Sequence, residues 1–544
     1  MKIKYLTSLF FTATIFSTQL KAQNYSWDNL PVIATTSFKT DTFNVLKYGA
    51  KSGGLELNTT SINNAINDCN AKGGGVVLIP AGLWLTGPIV LKSNVNLSLD
   101  RAAIVEFTKD KTQYPLVMGN WEGRETGRNQ SPLSATNATN VAITGRGVFE
   151  GNGDVWRAIG KDRLTESEWK KKVASGGLLS EDGKSWMPSE NFKNGQTLSK
   201  NGGMEKLKTL DDYQQVKDFL RPNLLVFTNC KKVLLEGVTF QNSPAWCLHP
   251  LMCQDLTVRN VYVKNPEWAQ NGDGIDIESC KNVLMEGCTL ECGDDGICIK
   301  SGRDEEGRKR AMPTENLIIR NNIVYRAHGG FVIGSEMSGG ARNIFVSNCS
   351  FMGTDKGLRF KTARGRGGLV ENIYCKDIFM KDIVTEAIYF DMYYFTKPPK
   401  PGEKVEVPKV DETTPRFQNF YVSNIACDGA AEAIFIRGLP EMSIKNINIS
   451  DVVLQAKKGV ELIEAENINL KNIQLKIENT NPVVYVENST NINLNGLKYN
   501  PADVLFSING DRTKNVKASG VDVSGAKTKT KFEGGANESV LEIK

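Results

Sequence analysis

Asn282-Val-Leu-Met-Glu-Gly287, Asn316-Leu-Ile-Ile-Arg-Asn321, Asn343-Ile-Phe-Val-Ser-Asn348 and Asn372-Ile-Tyr-Cys-Lys-Asp377 are four versions of one phrase. Each opens on Asn, alternates apolar with other residues over a few positions, and closes on a polar residue or Gly. Period-2 alternation bounded by turn formers is the signature of a short strand with one buried face. The phrase recurs before these four at Asn140, Lys232 and Asp255, and after them at Asn419, Asn446, Asn467 and Asn491. From Asp255 onward the spacings run between 21 and 34 residues, with one of 47. A repeat of that length, built from two or three strands with no helix between them, cannot bury its own apolar face and must stack on its neighbours. The expected fold is therefore all-β, a right-handed parallel β-helix. Propeller blades are longer, at roughly 40–50 residues. Asn suits the corner of each coil, because it tolerates a left-handed backbone and its amide can bond the equivalent Asn above and below.

Two regions break the rhythm. Thr59-Thr-Ser-Ile-Asn-Asn-Ala-Ile66 reads as a helix ending near Lys72-Gly73-Gly74, placed to cap the open end of the solenoid. Residues 155–220 form a Lys/Ser/Gly-rich insertion with a possible helix over 204–220. The Pro-rich stretch 396–415 explains the 47-residue step. Such insertions project from one face of a solenoid, often the binding face.

The chain has 544 residues, 40% of them hydrophobic and 23% charged, which excludes a small disulfide-stapled domain and a disordered chain. Its formal net charge is +5, of which Lys2, Lys4 and Lys21 supply three, so +2 remains without them. That is too little to draw nucleic acid to the surface. The start, Lys2 and Lys4 before an apolar run and then Gln19-Leu-Lys-Ala22, has the pattern of an export leader over residues 1–22. A single domain over 23–544 follows, in a periplasmic or secreted protein with no membrane insertion, expected as a monomer. The 11 cysteines include no CxxC pair. An odd number leaves at least one unpaired, and their alternation with apolar residues reads as small buried hydrophobes rather than zinc ligands.

Chemistry-bearing residues concentrate between 271 and 361. Asn271-Gly272-Asp273 is followed by Asp294-Asp295 after 21 residues, by His328 after 34 more, and by Arg359-Phe360-Lys361 after a further 31. Each step is about one coil. Asp294 and His328 both lie 12 residues beyond their coil's Asn, so they should share a face. Three carboxylates crowded on a rigid sheet cannot all ionise freely, which sets an acid beside a base. Two carboxyl groups in those roles are what glycosidic cleavage requires. Arg359 and Lys361, two apart on a strand, point the same way and could hold a sugar carboxylate. Arg364 and Arg366 read as solvated or as outer substrate contacts. His249 reads as structural, with a contact to sugar as the alternative.

These motifs resemble those of glycoside hydrolase family 28, the polygalacturonases, and the likeness extends over nearly the whole chain beyond the leader. Asn271-Gly272-Asp273, Asp294-Asp295, Ala327-His328-Gly329 and Arg359-Phe360-Lys361 match the family's Asn-Thr-Asp, Asp-Asp, Gly-His-Gly and Arg-Ile-Lys signatures. Departures are Gly272, Ala327 and Phe360, none of which removes a functional group. Phe43-Asn-Val-Leu-Lys-Tyr-Gly-Ala50 resembles the family's first strand, and Asn242-Ser-Pro-Ala-Trp246 a segment just before the catalytic coils at about 265–395. The resemblance implies inverting hydrolysis of galacturonosidic bonds in a pectic polysaccharide or oligogalacturonide, without metal or other cofactor. It makes Asp294 the general acid, with Asp273 and Asp295 positioning and deprotonating the water. His328 would tune the acid, and Arg359, Lys361 and Asn271 would bind the substrate. A tyrosine beyond the Arg-x-Lys coil is also implied, and Tyr389, Tyr393 and Tyr394 are open candidates. The long insertion suggests an exo-acting enzyme. The alternatives are a rhamnogalacturonan hydrolase, a calcium-dependent pectate lyase built on the three aspartates, and a non-catalytic carbohydrate-binding solenoid.

Overall fold

The computed structural model describes residues 25–399 and 407–544. The leader pattern of 1–22 lies outside them, as does the middle of the 396–415 stretch. The chain winds into a right-handed parallel β-helix whose coils contribute strands to three parallel ladders. One coil passes through Lys281–Glu286 in the first ladder, Thr289–Glu291 in the second and Ile297–Lys300 in the third. From Ala341–Met352 onward, single long strands run through the first two ladders together.

Each ladder is held in register by a column of apolar side chains. In the third, Leu225, Leu248, Ile275, Ile297, Phe331, Leu358 and Ile388 stand opposite one another in turn. All are buried. A one-residue slip would turn every one of them outward, so burial of the column fixes the register.

The corner asparagines behave as expected from the sequence. Asn282, Asn316, Asn343, Asn372, Asn419, Asn446, Asn467 and Asn491 all have φ between 55° and 64°. Their amides form a continuous chain, with Asn316 donating to Asn282 at 3.1 Å, Asn343 to Asn316 at 3.1 Å and Asn446 to Asn419 at 2.9 Å. The helix Thr59–Ala71 buries Ile62, Ala65, Ile66 and Cys69 on the first coils. All 11 cysteines are buried free thiols.

The 155–220 insertion folds on small cores of its own. Ile159, Trp169 and Trp186 make one, and Leu207, Tyr213, Val216 and Leu220 another. The helix expected over 204–220 is instead three short turns, Gly203–Lys206, Leu210–Gln214 and Lys217–Phe219. Thr209 caps the middle one and restarts the chain in a new direction. A second excursion had no sequence signal. The antiparallel hairpin Leu116–Trp121/Arg124–Asn129 leaves the corner between the second and third ladders, as the insertion does. Its tip crosses the third ladder to the helix Asp304–Arg310 on the opposite corner. Glu122 pairs with Arg303 at 2.8 Å, Arg124 with Asp304 at 2.5 Å, and the Glu125 N–H donates to Glu306 at 2.9 Å.

Candidate active site

The clustered polar residues sit in the turns that lead from the second ladder into the third. Ile275 stands opposite Ile297, so Asp273 shares a row with Asp295, and the Gly274 N–H donates to the Asp295 carbonyl at 2.9 Å. The His328 N–H donates to the Asp294 carbonyl at 2.9 Å, which puts those two on one row as their spacing predicts. Arg359 and Lys361 do not share that row. Phe331 pairs with Leu358, a 27-residue step, so the basic pair lies further along its strand. Its long side chains reach back to the turns.

There they converge on Asp295. Arg359 donates to Oδ1 at 2.8 Å and Lys361 to Oδ2 at 2.7 Å. Burial opposes ionisation of Asp295, but Lys361 and Arg359 outweigh it and hold the carboxyl below its usual range. The Arg359 Nε is buried with no partner among the described residues. Burial pushes Asp273 well up, and the neighbouring Asp276 and Asp294 push it further. Asp294 is the most open of the three, with 24% of its side chain exposed, and its Oδ1 lies 3.1 Å from the half-exposed His328 Nδ1. That hydrogen bond raises the imidazole pKa above its ordinary value. One oxygen from each of Asp273, Asp294 and Asp295 falls within 4.8 Å of the others. The 6.5–9.5 Å separation that inverting carboxylates generally show is not what these oxygens have.

Asn271 adopts φ 52° and accepts from Arg221 at 2.7 Å. At Gly272 a Cβ would lie 2.6 Å from the Ala269 carbonyl oxygen, which explains why the family's Thr is absent here. Phe360 points into the core against Phe390 and Phe420. Of the three candidate tyrosines, Tyr394 lies under the basic pair, its ring 4.8 Å from Lys361 Nζ and 5.8 Å from the Arg359 guanidinium. Tyr389 is bonded to Asp391, and Tyr393 contacts Arg364. His249 is buried between Asn223 and Glu278, at 3.2 and 2.9 Å, and is structural. Arg364 is partly exposed and grips Glu441, whereas Arg366 is buried and grips Asp304.

Sequence reasoning missed Asp276 and Lys300. Both point outward on the third ladder, and both are buried because the hairpin and the Asp304–Arg310 helix roof that part of it. Asp276 is 0% exposed, and neither of its oxygens has a hydrogen-bond partner among the described residues. Lys300 approaches it to 3.5 Å, bonds Glu336 at 3.0 Å and sits 4.7 Å over the Trp246 ring. Burial pushes Asp276 up to about 8 despite Lys300. Alternation carries the missed signal. Ile275-Asp276-Ile277-Glu278 and Ile297-Cys298-Ile299-Lys300 follow the turns that hold Asp273, Asp294 and Asp295, with every isoleucine inward.

Comparison with known proteins gives concordant matches. The sequence profile of Glycosyl hydrolases family 28 matches residues 161–414. The structure is similar to that of a hyperthermoactive exopolygalacturonase from Thermotoga maritima. That likeness has a TM-score of 0.66 and 32% identity, and covers 81% of this chain and 93% of the other. A probable polygalacturonase of Vitis vinifera is 27% identical over 420 residues, 75% of this chain and 73% of that protein. An exo-poly-alpha-D-galacturonosidase of Dickeya chrysanthemi is 26% identical over 375 residues, 68% of this chain and 60% of that protein. Endo-polygalacturonases are among the relatives as well.

Proposed function

The chain belongs to glycosyl hydrolase family 28, and from that premise we propose that it hydrolyses α-1,4-galacturonosidic bonds of pectin from the end of the chain, with inversion. Asp294, the most open carboxyl, donates its proton to the glycosidic oxygen as the bond to the anomeric carbon breaks. His328 carries its charge to higher pH than a free imidazole and stabilises the carboxylate left behind. A water held among the three carboxyls forms the new C–O bond, and Asp295 takes its proton. Asp273, kept neutral by burial, orients that water. Arg359 and Lys361 hold Asp295 ionised with part of their donor capacity. Their remaining N–H groups, the buried Arg359 Nε among them, are available to a sugar carboxylate over Tyr394.

Inversion is supported by the engagement of the carboxylates. A retaining enzyme needs a carboxylate oxygen free to attack carbon. Both Asp295 oxygens are engaged by cations and Asp273 is buried with its ionisation opposed, so water is the available nucleophile. The same engagement argues against a calcium-dependent lyase, because a cation at the aspartates would have to displace Arg359 and Lys361. Chain-end action is our reading of the clasp between the hairpin and the Asp304–Arg310 helix, which covers the third ladder beside the three aspartates. We place this action outside the cytoplasm, on the leader pattern of residues 1–22.

The deciding experiment follows early products from polygalacturonate for wild type and Asp294→Asn, with ultraviolet absorbance and the anomeric proton signals recorded in parallel. Monogalacturonate released as the β-anomer, and a roughly 10³-fold loss in the variant, are expected. Unsaturated product that a chelator suppresses would establish the lyase, and mixed oligomers an endo-acting hydrolase. Binding without turnover would leave a carbohydrate-binding solenoid, and turnover of rhamnogalacturonan alone the other hydrolase.

A further inference from the structure

Three arginines meet at the closed end of the groove. Arg128 comes from the hairpin, Arg157 from the insertion, and Arg221 directly follows it. Among the described residues every hydrogen bond they make ends on a neutral acceptor. Arg157 bonds the carbonyls of Gln270, Ser243 and Ala245. Arg128 bonds the Arg221 carbonyl and lies 4.1 Å over the Trp121 ring, which stacks on Trp246 at 5.0 Å. Arg221 bonds the Gln270 carbonyl at 2.8 Å and the Asn271 side chain at 2.7 Å, two residues before Asp273. Glu122, the nearest hairpin carboxylate, is committed to Arg303 at 2.8 Å.

Close guanidinium groups without a paired carboxylate are costly to bury. Burial pushes Arg128 down to about 9 and Arg221 to about 10, and the charge of Arg221 adds to the effect on Arg128. Arg157 is buried, whereas Arg221 is partly exposed and feels the charges of Glu122 and Asp294. The cluster thus presents a cation to the groove on the N-terminal side of the catalytic turns. Arg359 and Lys361 present theirs on the C-terminal side. Successive coils of such a ladder lie about 4.8 Å apart, so the two cationic sites are separated by a few coil heights.

We infer that Arg221, backed by Arg128, receives the carboxylate of the sugar bound at the closed end. The protein then requires a uronate on both sides of the bond it breaks. This deepens the hydrolase reading and rests on it. It also separates homogalacturonan, in which every unit is acidic, from polymers that alternate uronate with neutral sugar.

The test uses an oligogalacturonide that wild type cleaves, beside two versions carrying a single methyl ester on the residue at one side or the other of the scissile bond. Wild type should cleave the free acid about 10- to 100-fold better in kcat/KM than either ester, the usual effect of losing a charged hydrogen-bond partner. Arg221→Gln should erase the discrimination at one position, chiefly through KM, and keep it at the other. Arg221→Lys should restore part of it. Equal loss on all three substrates would make Arg221 a mere brace for the Gln270–Asn271 turn and overturn the inference, as would a wild type indifferent to both esters. If Arg221→Gln does not fold, binding of the three compounds to Asp294→Asn by calorimetry decides, with the same preference expected. Wild type inert towards every oligogalacturonide would sink the hydrolase reading itself, before any arginine is changed.

Discussion

Asp273, Asp294 and Asp295 are one residue type with oxygens within 4.8 Å of one another, yet their surroundings differ. Asp295 is bonded by two cations, Asp273 is bonded by none among the described residues, and Asp294 faces an imidazole. His328→Gln should therefore lower kcat about 10- to 100-fold and move the alkaline limb of the kcat profile to higher pH, because the cation that favours the carboxylate left on Asp294 after proton transfer is gone. A pH-rate series on polygalacturonate measures this, and an unmoved limb would make His328 a packing residue. Asp276 calls for a different measurement. Its carboxyl titrates near 8 when folded and near 3.8 in a free chain. Between those values the unfolded chain sheds a proton that the fold retains. This contribution to stability is fully present below pH about 4 and is lost as pH rises to 8, at up to about 1.4 kcal/mol per pH unit. Asp276→Asn keeps the shape and the neutrality. Urea titrations of the variant at pH 5, 6.5 and 8 should show a flatter decline than wild type, and an identical slope would mean that Asp276 is ionised in the fold. The sequence made the first three aspartates legible, because each stands in a Gly-flanked turn at coil spacing. Asp276 and Lys300 read as ordinary outward strand positions, since what buries them arrives from residues 116–129 and 304–310.

Each coil turns on an asparagine, and that element was the most legible part of the fold. Asn343 has φ 56°, donates to Asn316 at 3.1 Å and accepts from Asn372 at 3.5 Å. Alanine there loses both hydrogen bonds and strains a left-handed backbone, for a combined cost of about 2–4 kcal/mol. Glycine relieves the backbone and loses only the amide, about 1–2 kcal/mol. Denaturant midpoints should rank wild type above Asn343→Gly above Asn343→Ala. A reversed order of the two variants would place the corner's stability in chain stiffness rather than in its geometry. The insertion was legible only as an interruption. Its three short turns over 203–219 are set by local caps such as Thr209 and by packing on Tyr213. A periodicity scan averages over both, and so reads one helix.

At the scale of the whole molecule, the question is what covers part of an open solenoid face. The third ladder offers a continuous outward surface along its length. On the coils holding His249, Asp276, Glu278 and Lys300 that surface is buried, whereas Arg359 and Tyr389 remain partly open. The boundary falls where the hairpin meets the Asp304–Arg310 helix. Single exposed ion pairs would make a weak latch, each contributing about 0–1 kcal/mol. Here, however, Asp304 is shared between Arg124 and Arg366 at 2.5 Å each, and the Trp121–Trp246 stack lies beneath the crossing. Point changes to the tip should therefore leave the groove shut. Replacing residues 117–128 by a two-residue turn should open it. The shortened protein should still cleave polygalacturonate, since none of Asp273, Asp294, Asp295, His328, Arg359 or Lys361 is touched, but with a raised KM because Arg128, which backs Arg221, goes with the hairpin. Its early products should change from monogalacturonate alone to a ladder of oligomers, and the viscosity of the polymer should fall faster per bond cut. Monogalacturonate as the sole early product of the shortened protein would assign chain-end selection to the 155–220 insertion, and removing the Ile159–Trp169–Trp186 lobe that packs on Trp268 would then be the change that opens the groove.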